Sequence, residues 1–543
     1  VKETRLAKYL SLYLSDFHNL LQFKIYTMGK LIPNAFNLIV VLYVALGSTA
    51  CSYGLSVIGS TIGQPTFYTG LKMAAPGQPG YSHTANLISA YNGVNSGGAI
   101  LGAGFTSWFA NWTGRKRSIQ LGALILVIGG ALSAGSVNPA MFIVARTIAG
   151  IGIGMLITSI PMYQSEVSTP ESRGFMCCMH GVMFAVGYSL SAWIGFGTYF
   201  SPASSSFGWR FPLAFQCGPS LLLLLGSAFL PFSPRWLLQQ DRPEESLAVL
   251  KRLHTSKEDP EGHEASREFY QMQKQLELDR TIKAKTGPFE IFLTPSNRKR
   301  ALFAFFFMFG NMFTGILVVT NYGILLYEAI GLSSFMPLLL SGVYVLITFP
   351  CNIFTALYVD KIGRRTLLLV GLAGCTICNI FECALQATYL GTNNKSGLNA
   401  AIFFIFFFVI FWASCLDATQ YLYTAEIFPT HIRSQGTAIG MAGLFCGTLV
   451  VLVAGPIALN EISWRFYLVL IIPTAIEFVC VYLWFPETQQ RSLEDIAEAF
   501  GDKVAVKFYE ANSEEDTTYT GETSENREEK ATTDFVEDRK ASV

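Results

Sequence analysis

Asn111-Trp112-Thr113-Gly114-Arg115-Lys116 returns 249 residues later as Asp360-Lys361-Ile362-Gly363-Arg364-Arg365. Two further pieces repeat in the same order. Tyr163-x-x-Glu166 with Arg173 returns 260 residues on as Tyr423-x-x-Glu426 with Arg433. Pro231-x-x-Pro234-Arg235 has a looser echo, 255 residues on, in Pro486-Glu487-x-x-x-Arg491. Charged signatures that recur in one order, each beside an apolar run, are the mark of a chain built from two related membrane halves.

The composition agrees with that reading. The chain has 543 residues, 51% hydrophobic and 14% charged, against roughly a quarter charged in an ordinary soluble domain. Apolar runs of about 20 residues, long enough to cross a bilayer, recur through the chain. Twelve are expected, at about 38–60, 86–108, 118–136, 140–162, 175–198, 211–230, 300–326, 335–358, 366–390, 400–424, 436–460 and 465–485. The third and fourth are the least separated. Hydrocarbon cannot satisfy backbone polar groups, so the spans are expected to be helices. The fold class is therefore all-α, with twelve transmembrane helices in two pseudo-symmetric six-helix bundles.

The expected division is an arm at 1–37, a first bundle at 38–230, a linker at 231–299 with short helices, a second bundle at 300–485, and a tail at 486–543. The linker is rich in Glu, Lys, Gln and Leu, and the acidic tail is expected to be disordered after about residue 502. Basic clusters Arg115-Lys116-Arg117, Arg173, Arg298-Lys299-Arg300 and Lys361 with Arg364-Arg365 fall in loops of one parity, and few basic residues fall in the others. That bias puts both termini and the linker in the cytoplasm. Asn394-Lys395-Ser396 then lies outside, open to glycosylation. Lysine plus arginine equal aspartate plus glutamate, so nothing suggests a nucleic-acid partner. All eleven cysteines fall in the spans, and Cys375-x-x-Cys378 has no second pair or nearby histidine. No metal, cofactor or disulfide framework is expected.

Buried charges at helix ends need partners. Glu166 and Glu426 lie at such ends, with Arg115, Arg173, Arg235, Arg364 and Arg433 in reach. Carboxylate–arginine pairs formed between the halves are expected to latch an inner gate; plain topology plus helix capping is the simpler alternative. The ordered set Gly114-Arg115-Lys116, Arg146, Pro161-x-Tyr163-x-x-Glu166, Arg173-Gly174, Ser233-Pro234-Arg235-Trp236, Thr314-Gly315-Ile316, Asp360-x-x-Gly363-Arg364-Arg365, Glu426-Ile427-Phe428-Pro429 and Pro486-Glu487-Thr488 resembles the sugar porter family of the major facilitator superfamily, its fungal members above all. The resemblance covers about residues 38 to 496. It implies two six-helix bundles around a mid-membrane site, alternating access, and a sugar carried either down its gradient or with protons. Asp360 and Glu487 join the gating set by the same match.

At the sugar site the chain departs from the family. Amides flanking the Thr-Gly-Ile of helix seven are replaced by Asn311, Met312 and Leu317, the paired tyrosines by Asn321-Tyr322, and the glutamine of helix five by Gly181, next to His180. The helix-ten Gly-Pro-x-x-Trp reads Asp417-Ala418-Thr419-Gln420-Tyr421. A site that recognises hydroxyls must pair each one, and an unpaired polar group costs about 1–3 kcal/mol, so an ordinary hexose pose is not expected. His180, Asn311, Met312, Asn321, Tyr322, Gln420 and Tyr421 are the expected lining, with hydrogen bonds from the amides and ring stacking from the tyrosines. The aspartate that family proton symporters carry on helix one is Gly54 here, although its partner Arg146 remains. Asp417 and Glu382, both within spans, are the replacement proton carriers to consider, with a hydrogen-bonded structural role as the alternative for each. The expected function is a monomeric plasma-membrane carrier for a sugar or related polyol, with protons as a second partner left open. The alternative is a non-transporting nutrient sensor on the same fold. No nucleophile–base set or phosphate-cradling loop suggests an enzyme.

Overall fold

A computed structural model describes residues 34–489 and Phe500, apart from 76–77, 170–171, 203–204, 256–258, 287–289, 330–334, 390–391, 393 and 430–431. The arm up to residue 33 and the tail expected to be disordered after residue 502 lie outside the described residues. Among the described residues there is no strand. Eleven of the described helices are long and apolar enough to cross a membrane. The twelfth, Tyr81–Thr113, is 33 residues long but carries Ser89, Asn92, Asn95 and Ser96 on its buried face, so its hydropathy is weak while its length is ample.

The spans are one, Ala35–Ile62; two, Tyr81–Thr113; three, Arg115–Ala134; four, Pro139–Val167; five, Arg173–Tyr199; and six, Phe207–Phe229. After the linker come seven, Pro295–Ile324; eight, Met336–Ile362; nine, Arg364–Tyr389; ten, Ser396–Glu426; eleven, Arg433–Ile462; and twelve, Phe466–Trp484. Spans three and four are separate helices. Gly135 closes the first, and Asn138 caps the second by accepting from Met141 N, with Pro139 at its first position. Side chains such as Leu101, Trp108, Leu225, Phe229, Phe306 and Ile472 are exposed on the outer surface, as a lipid-facing shell requires.

Across the interface, span two packs on span eleven and span eight packs on span five. Six spans separate two from eight and five from eleven, so the contacts are those expected of halves related by a pseudo-two-fold axis. Gly114 (φ +92°) and Gly363 (φ +94°) turn the chain sharply before spans three and nine. Both have a backbone conformation that a side chain would strain.

The linker is anchored on the first half. Helix Pro243–His254 has Glu244 and Glu245 in its first turn and Lys251, Arg252 and His254 in its last, matching the helix dipole. His254 is buried, with Nδ1 2.9 Å from Glu268 Oε2 and Nε2 3.0 Å from the Val167 carbonyl at the end of span four. Both partners only accept, so the ring must donate from both nitrogens and is cationic. Burial alone would lower the His254 pKa, but Glu268 and the Val167 carbonyl raise it above the ordinary 6.5. For Glu268, burial pulls upward, but His254 and then Arg235 and Arg173 hold it below the ordinary 4.5.

This pair therefore stabilises linker docking fully below the ordinary imidazole value of 6.5 on the His254 side and above the ordinary 4.5 on the Glu268 side. The His254 contribution is lost as pH rises through its raised value. Hydrogen exchange of residues 243–276, corrected for intrinsic rates, should be several-fold better protected at about pH 6 than at about pH 9. Glu268→Gln should flatten that dependence, and an unchanged wild-type profile would contradict the assignment.

Candidate functional site

Two ion-pair constellations stand on the linker-side ends of the bundles. In the first half, Arg115 Nη2 lies 2.9 Å from Glu166 Oε1, and Ser233 Oγ donates to Glu166 Oε2 at 2.5 Å. Tyr163 OH donates to the Pro231 carbonyl at 2.8 Å. In the second half, Arg364 Nη2 lies 3.1 Å from Glu426 Oε1, Thr488 Oγ1 donates to Glu426 Oε2 at 2.9 Å, and Tyr423 OH donates to the Pro486 carbonyl at 3.1 Å. All four charged side chains are buried. The loose echo at Pro231 and Pro486 thus supplies equivalent atoms, with Ser233 and Thr488 in matching places. Both hydroxyls were unassigned from sequence, although each sits two residues past its repeated proline.

The pairs close within each half. This corrects the expectation of Arg–Glu bridges between halves: Arg115 starts span three against the end of span four, and Arg364 starts span nine against the end of span ten. Asp360 makes the crossing instead. Its Oδ1 lies 2.7 Å from Arg364 Nη1, and its Oδ2 accepts from Phe175 N, at the start of span five in the other half, at 2.9 Å. A Cβ on Gly174 would stand 2.0 Å from Asp360 Oδ1, so only glycine admits the carboxylate there. The equivalent of Asp360 in the first half is Asn111, whose amide donates to Ser107 O of its own helix at 3.1 Å. On that side the halves meet through Ser434 Oγ donating to the Ser107 carbonyl at 3.3 Å. Glu487 accepts from the backbone N–H groups of Arg364 (2.8 Å) and Arg365 (3.0 Å), capping span nine. Arg173, Arg235 and Arg433 are buried at the same level; the Arg433 guanidinium donates to the Phe428 carbonyl.

Between the bundles lies a cavity lined from both halves. Met312, Asn321, Asp417, Gln420 and Tyr421 line it, with Phe184, Tyr188, Trp412, Thr320 and Thr448 among the residues sequence reading did not assign. A widened π-helical turn, Trp412–Leu416, precedes Asp417, and Thr355 Oγ1 donates to the Ser414 carbonyl at 2.6 Å. Such turns re-aim the residue that follows. Asp417 Oδ2 accepts from Asn352 Nδ2 of span eight at 2.9 Å, while its Oδ1 has no partner among the described residues. This pair abuts the other half: a Cβ on Gly181 would come within 2.5 Å of both Asn352 Oδ1 and Ala418 Cβ. The glutamine that the family resemblance places at position 181 has no room in this conformation.

Other expected lining residues lie elsewhere. Tyr322 faces away from the cavity, donating to the Leu452 carbonyl at 2.7 Å and receiving from Asn92 Nδ2 at 3.3 Å. Asn311 stands behind the wall and donates to Gln420 Oε1. His180 is also behind it, with Nδ1 2.7 Å from Ser48 Oγ and its ring edge-on to Tyr421 at 4.7 Å. Among the described residues Arg146 has no carboxylate partner; its Nη1 donates to the Gly54 carbonyl at 2.9 Å. Glu382 sits in a separate pocket of the second half with Asn379 and Tyr467, accepting from Gln386 at 2.8 Å. That pocket borders the break in span seven, where Met312–Thr314 tightens and Gly315 turns at φ +105°. Among the described residues, no three His, Cys, Asp or Glu side chains could hold a metal.

A family model described as "Sugar (and other) transporter" matches residues 40–500. The MFS-type transporter criB of Aspergillus cristatus is 29% identical over 456 residues, covering 84% of this chain and 91% of that protein. The sugar transporter STL1 of Saccharomyces cerevisiae is 29% identical over 422 residues, covering 76% of this chain and 71% of that protein. The proton:xylose symporter XylE, solved with 6-bromo-6-deoxy-D-glucose, superposes with a TM-score of 0.73 at 22% identity, covering 86% of this chain and all of that one (100%).

Asp360 holds the halves together at the linker side through a charge-assisted bond to a helix N-terminus. Removing the charge by Asp360→Ala should shift the closed-to-open ratio about 10- to 100-fold toward open. In a cysteine-free background, cysteines at positions 107 and 434 should cross-link readily with Asp360 present and several-fold more slowly without it. Equal rates would show that Asp360 does not close this face.

Proposed function

The chain belongs to the sugar (and other) transporter family, and on that footing we propose that it is a secondary carrier moving a sugar or related polyol across a membrane by alternating access. The observation that carries this reading is the matched pair of buried ionic clusters at one end of the bundles, with a cavity between the halves and Asp360 of one cluster bonded to the start of span five in the other half. A continuous pore has no use for a latch between its halves, and a carrier requires one that opens and closes. Relatives named as a sugar transporter and a high-affinity glucose transporter support the solute class.

The carrier sits as a monomer in the lipid of the plasma membrane, with its linker and termini in the cytoplasm; the basic residues gathered on the linker side support this orientation. Gating falls to Arg115, Glu166, Arg364 and Glu426 as within-half clasps, to Asp360 as the crossing contact, and to Arg173, Arg235, Arg433 and Glu487 as the charges and cap around them. Substrate contacts come from Met312, Asn321, Gln420 and Tyr421. His180 and Asn311 hold that wall in place from behind.

Transport is coupled to protons at Asp417. Of Asp417, Arg146 and Glu382, Asp417 lines the cavity, and its bond to Asn352 lies against Gly181 of the opposite half. Separation of the bundles exposes this carboxyl to one aqueous side and then the other, so it can take up a proton in one state and release it in the other.

In proteoliposomes, Asp417→Asn should abolish solute accumulation driven by a pH gradient, about tenfold per unit of gradient at one proton per solute, while solute exchange at equal pH continues. Accumulation that persists in the variant would remove Asp417 from coupling. Glu426→Gln should lower turnover at least tenfold with affinity within about twofold. Saturable binding without any flux in the wild-type protein would favour a sensor over a carrier.

A further inference from the structure

The chemistry of the central cavity narrows the solute, an inference that rests on the carrier reading above. Much of the lining is apolar: Leu55 and Phe184 from the first half, and Met312, Ile316, Leu317 and Phe445 from the second. Much of the polar lining is already engaged. Gln420 accepts from Asn311 and donates to the Asp417 carbonyl at 3.3 Å. Thr448 donates to the Leu444 carbonyl at 2.8 Å, and Asn321 Nδ2 to the Leu317 carbonyl at 3.1 Å. Among the described residues, the buried lining atoms Asp417 Oδ1, Asn321 Oδ1 and Trp412 Nε1 have no partner, and the hydroxyls of Tyr188, Thr320 and Tyr421 also line the cavity. The side chains of Tyr188 and Thr320 stand where this cavity meets the second one between spans one, five, seven and eight.

We infer that this cavity selects a sparsely hydroxylated ring compound, with one broad apolar face and a hydroxyl or ammonium donor directed at Asp417, in preference to a hexose. The guest meets these two acceptors and one donor beside the hydroxyls of Tyr188, Thr320 and Tyr421, a set that a phenol-sized ring with one or two donors engages without turning hydroxyls onto the apolar side chains. A hexose carries a hydroxyl on nearly every carbon. Those turned toward Met312, Ile316, Leu317 and Phe445 lose their water and gain no partner, at about tenfold in affinity for each. An apolar ring face against these side chains gains instead from burial. Among the described lining residues no lysine, arginine or histidine neutralises Asp417, so the compensating donor comes from the guest.

The test uses the purified full-length protein and follows quenching of tryptophan fluorescence by three probes: D-glucose, tyrosol (a neutral hydroxylated phenol) and tyramine (its amine counterpart). At least one aromatic probe should bind about tenfold or more tightly than glucose. A preference for tyramine that vanishes in Asp417→Asn identifies an ammonium donor; equal binding of the two identifies a hydroxyl. Met312→Gln combined with Leu317→Asn should move the preference about tenfold toward glucose. Glucose binding as tightly as either aromatic probe to the wild-type protein, or no saturable quenching by either aromatic probe, overturns the inference without recourse to variants. Counterflow in proteoliposomes separates this from the carrier reading. Aromatic binding without counterflow overturns the carrier and leaves the selectivity. Glucose counterflow that neither aromatic probe supports overturns the selectivity and leaves the carrier.

Discussion

A charge buried at the end of a membrane helix must be answered by another, and this requirement organises the linker-side face. Arg115 with Glu166 and Arg364 with Glu426 are each sequestered from water. Removing one member of such a pair strands the other, at a cost of about 3–5 kcal/mol. Each pair therefore fixes the start of one helix against the end of the next. Ser233 and Thr488 then tie the segment leaving each bundle to the same carboxylate. The result is two rigid blocks, and rigidity within each half is what lets the halves move as bodies.

The crossing contact follows a different logic. Asp360 and Asn111 occupy equivalent places, yet only Asp360 carries a charge to set against a helix N-terminus in the other half. The carboxylate gains from both Phe175 N–H and the positive end of span five. Asn111 makes a bond within its own helix, and the facing contact is a neutral hydroxyl–carbonyl bond. The duplication is thus symmetric in the clasps and asymmetric in the latch. One strong contact that breaks on opening is easier to reverse than two, because each charge-assisted bond lost adds about 1.5–3 kcal/mol to the step.

Much of this was legible in the residues, and the failures have definite causes. Helix positions and the doubled motif followed from hydropathy and spacing. Spacing cannot say whether an arginine meets the carboxylate of its own half or of the other; that depends on which helix ends adjoin, and the structure places spans three and four, and nine and ten, end against end. Asn321 and Tyr322 could not both face the cavity, since neighbours on a helix point about 100° apart. Glu382 was recognisable as an intramembrane acid, but its helical face is shared with Asn379, whose amide donates to the Thr314 carbonyl at the span-seven break at 2.7 Å. That face looks into the second bundle and not between the bundles. Asn352 went unassigned because nothing in its sequence neighbourhood distinguishes a partner of Asp417 from a packed amide.

On the proposed reading, gate and cavity residues answer to different partners. A gate residue is constrained by a partner fixed in the protein, so a change at Arg364 strands Glu426 whatever the solute. A cavity residue is constrained by a guest, and a new guest releases it. Met312 and Leu317 can replace amides without leaving a protein group unpaired, whereas a side chain at Gly174 would strike Asp360 directly. The solute must be read from the few polar atoms that the cavity leaves without a partner.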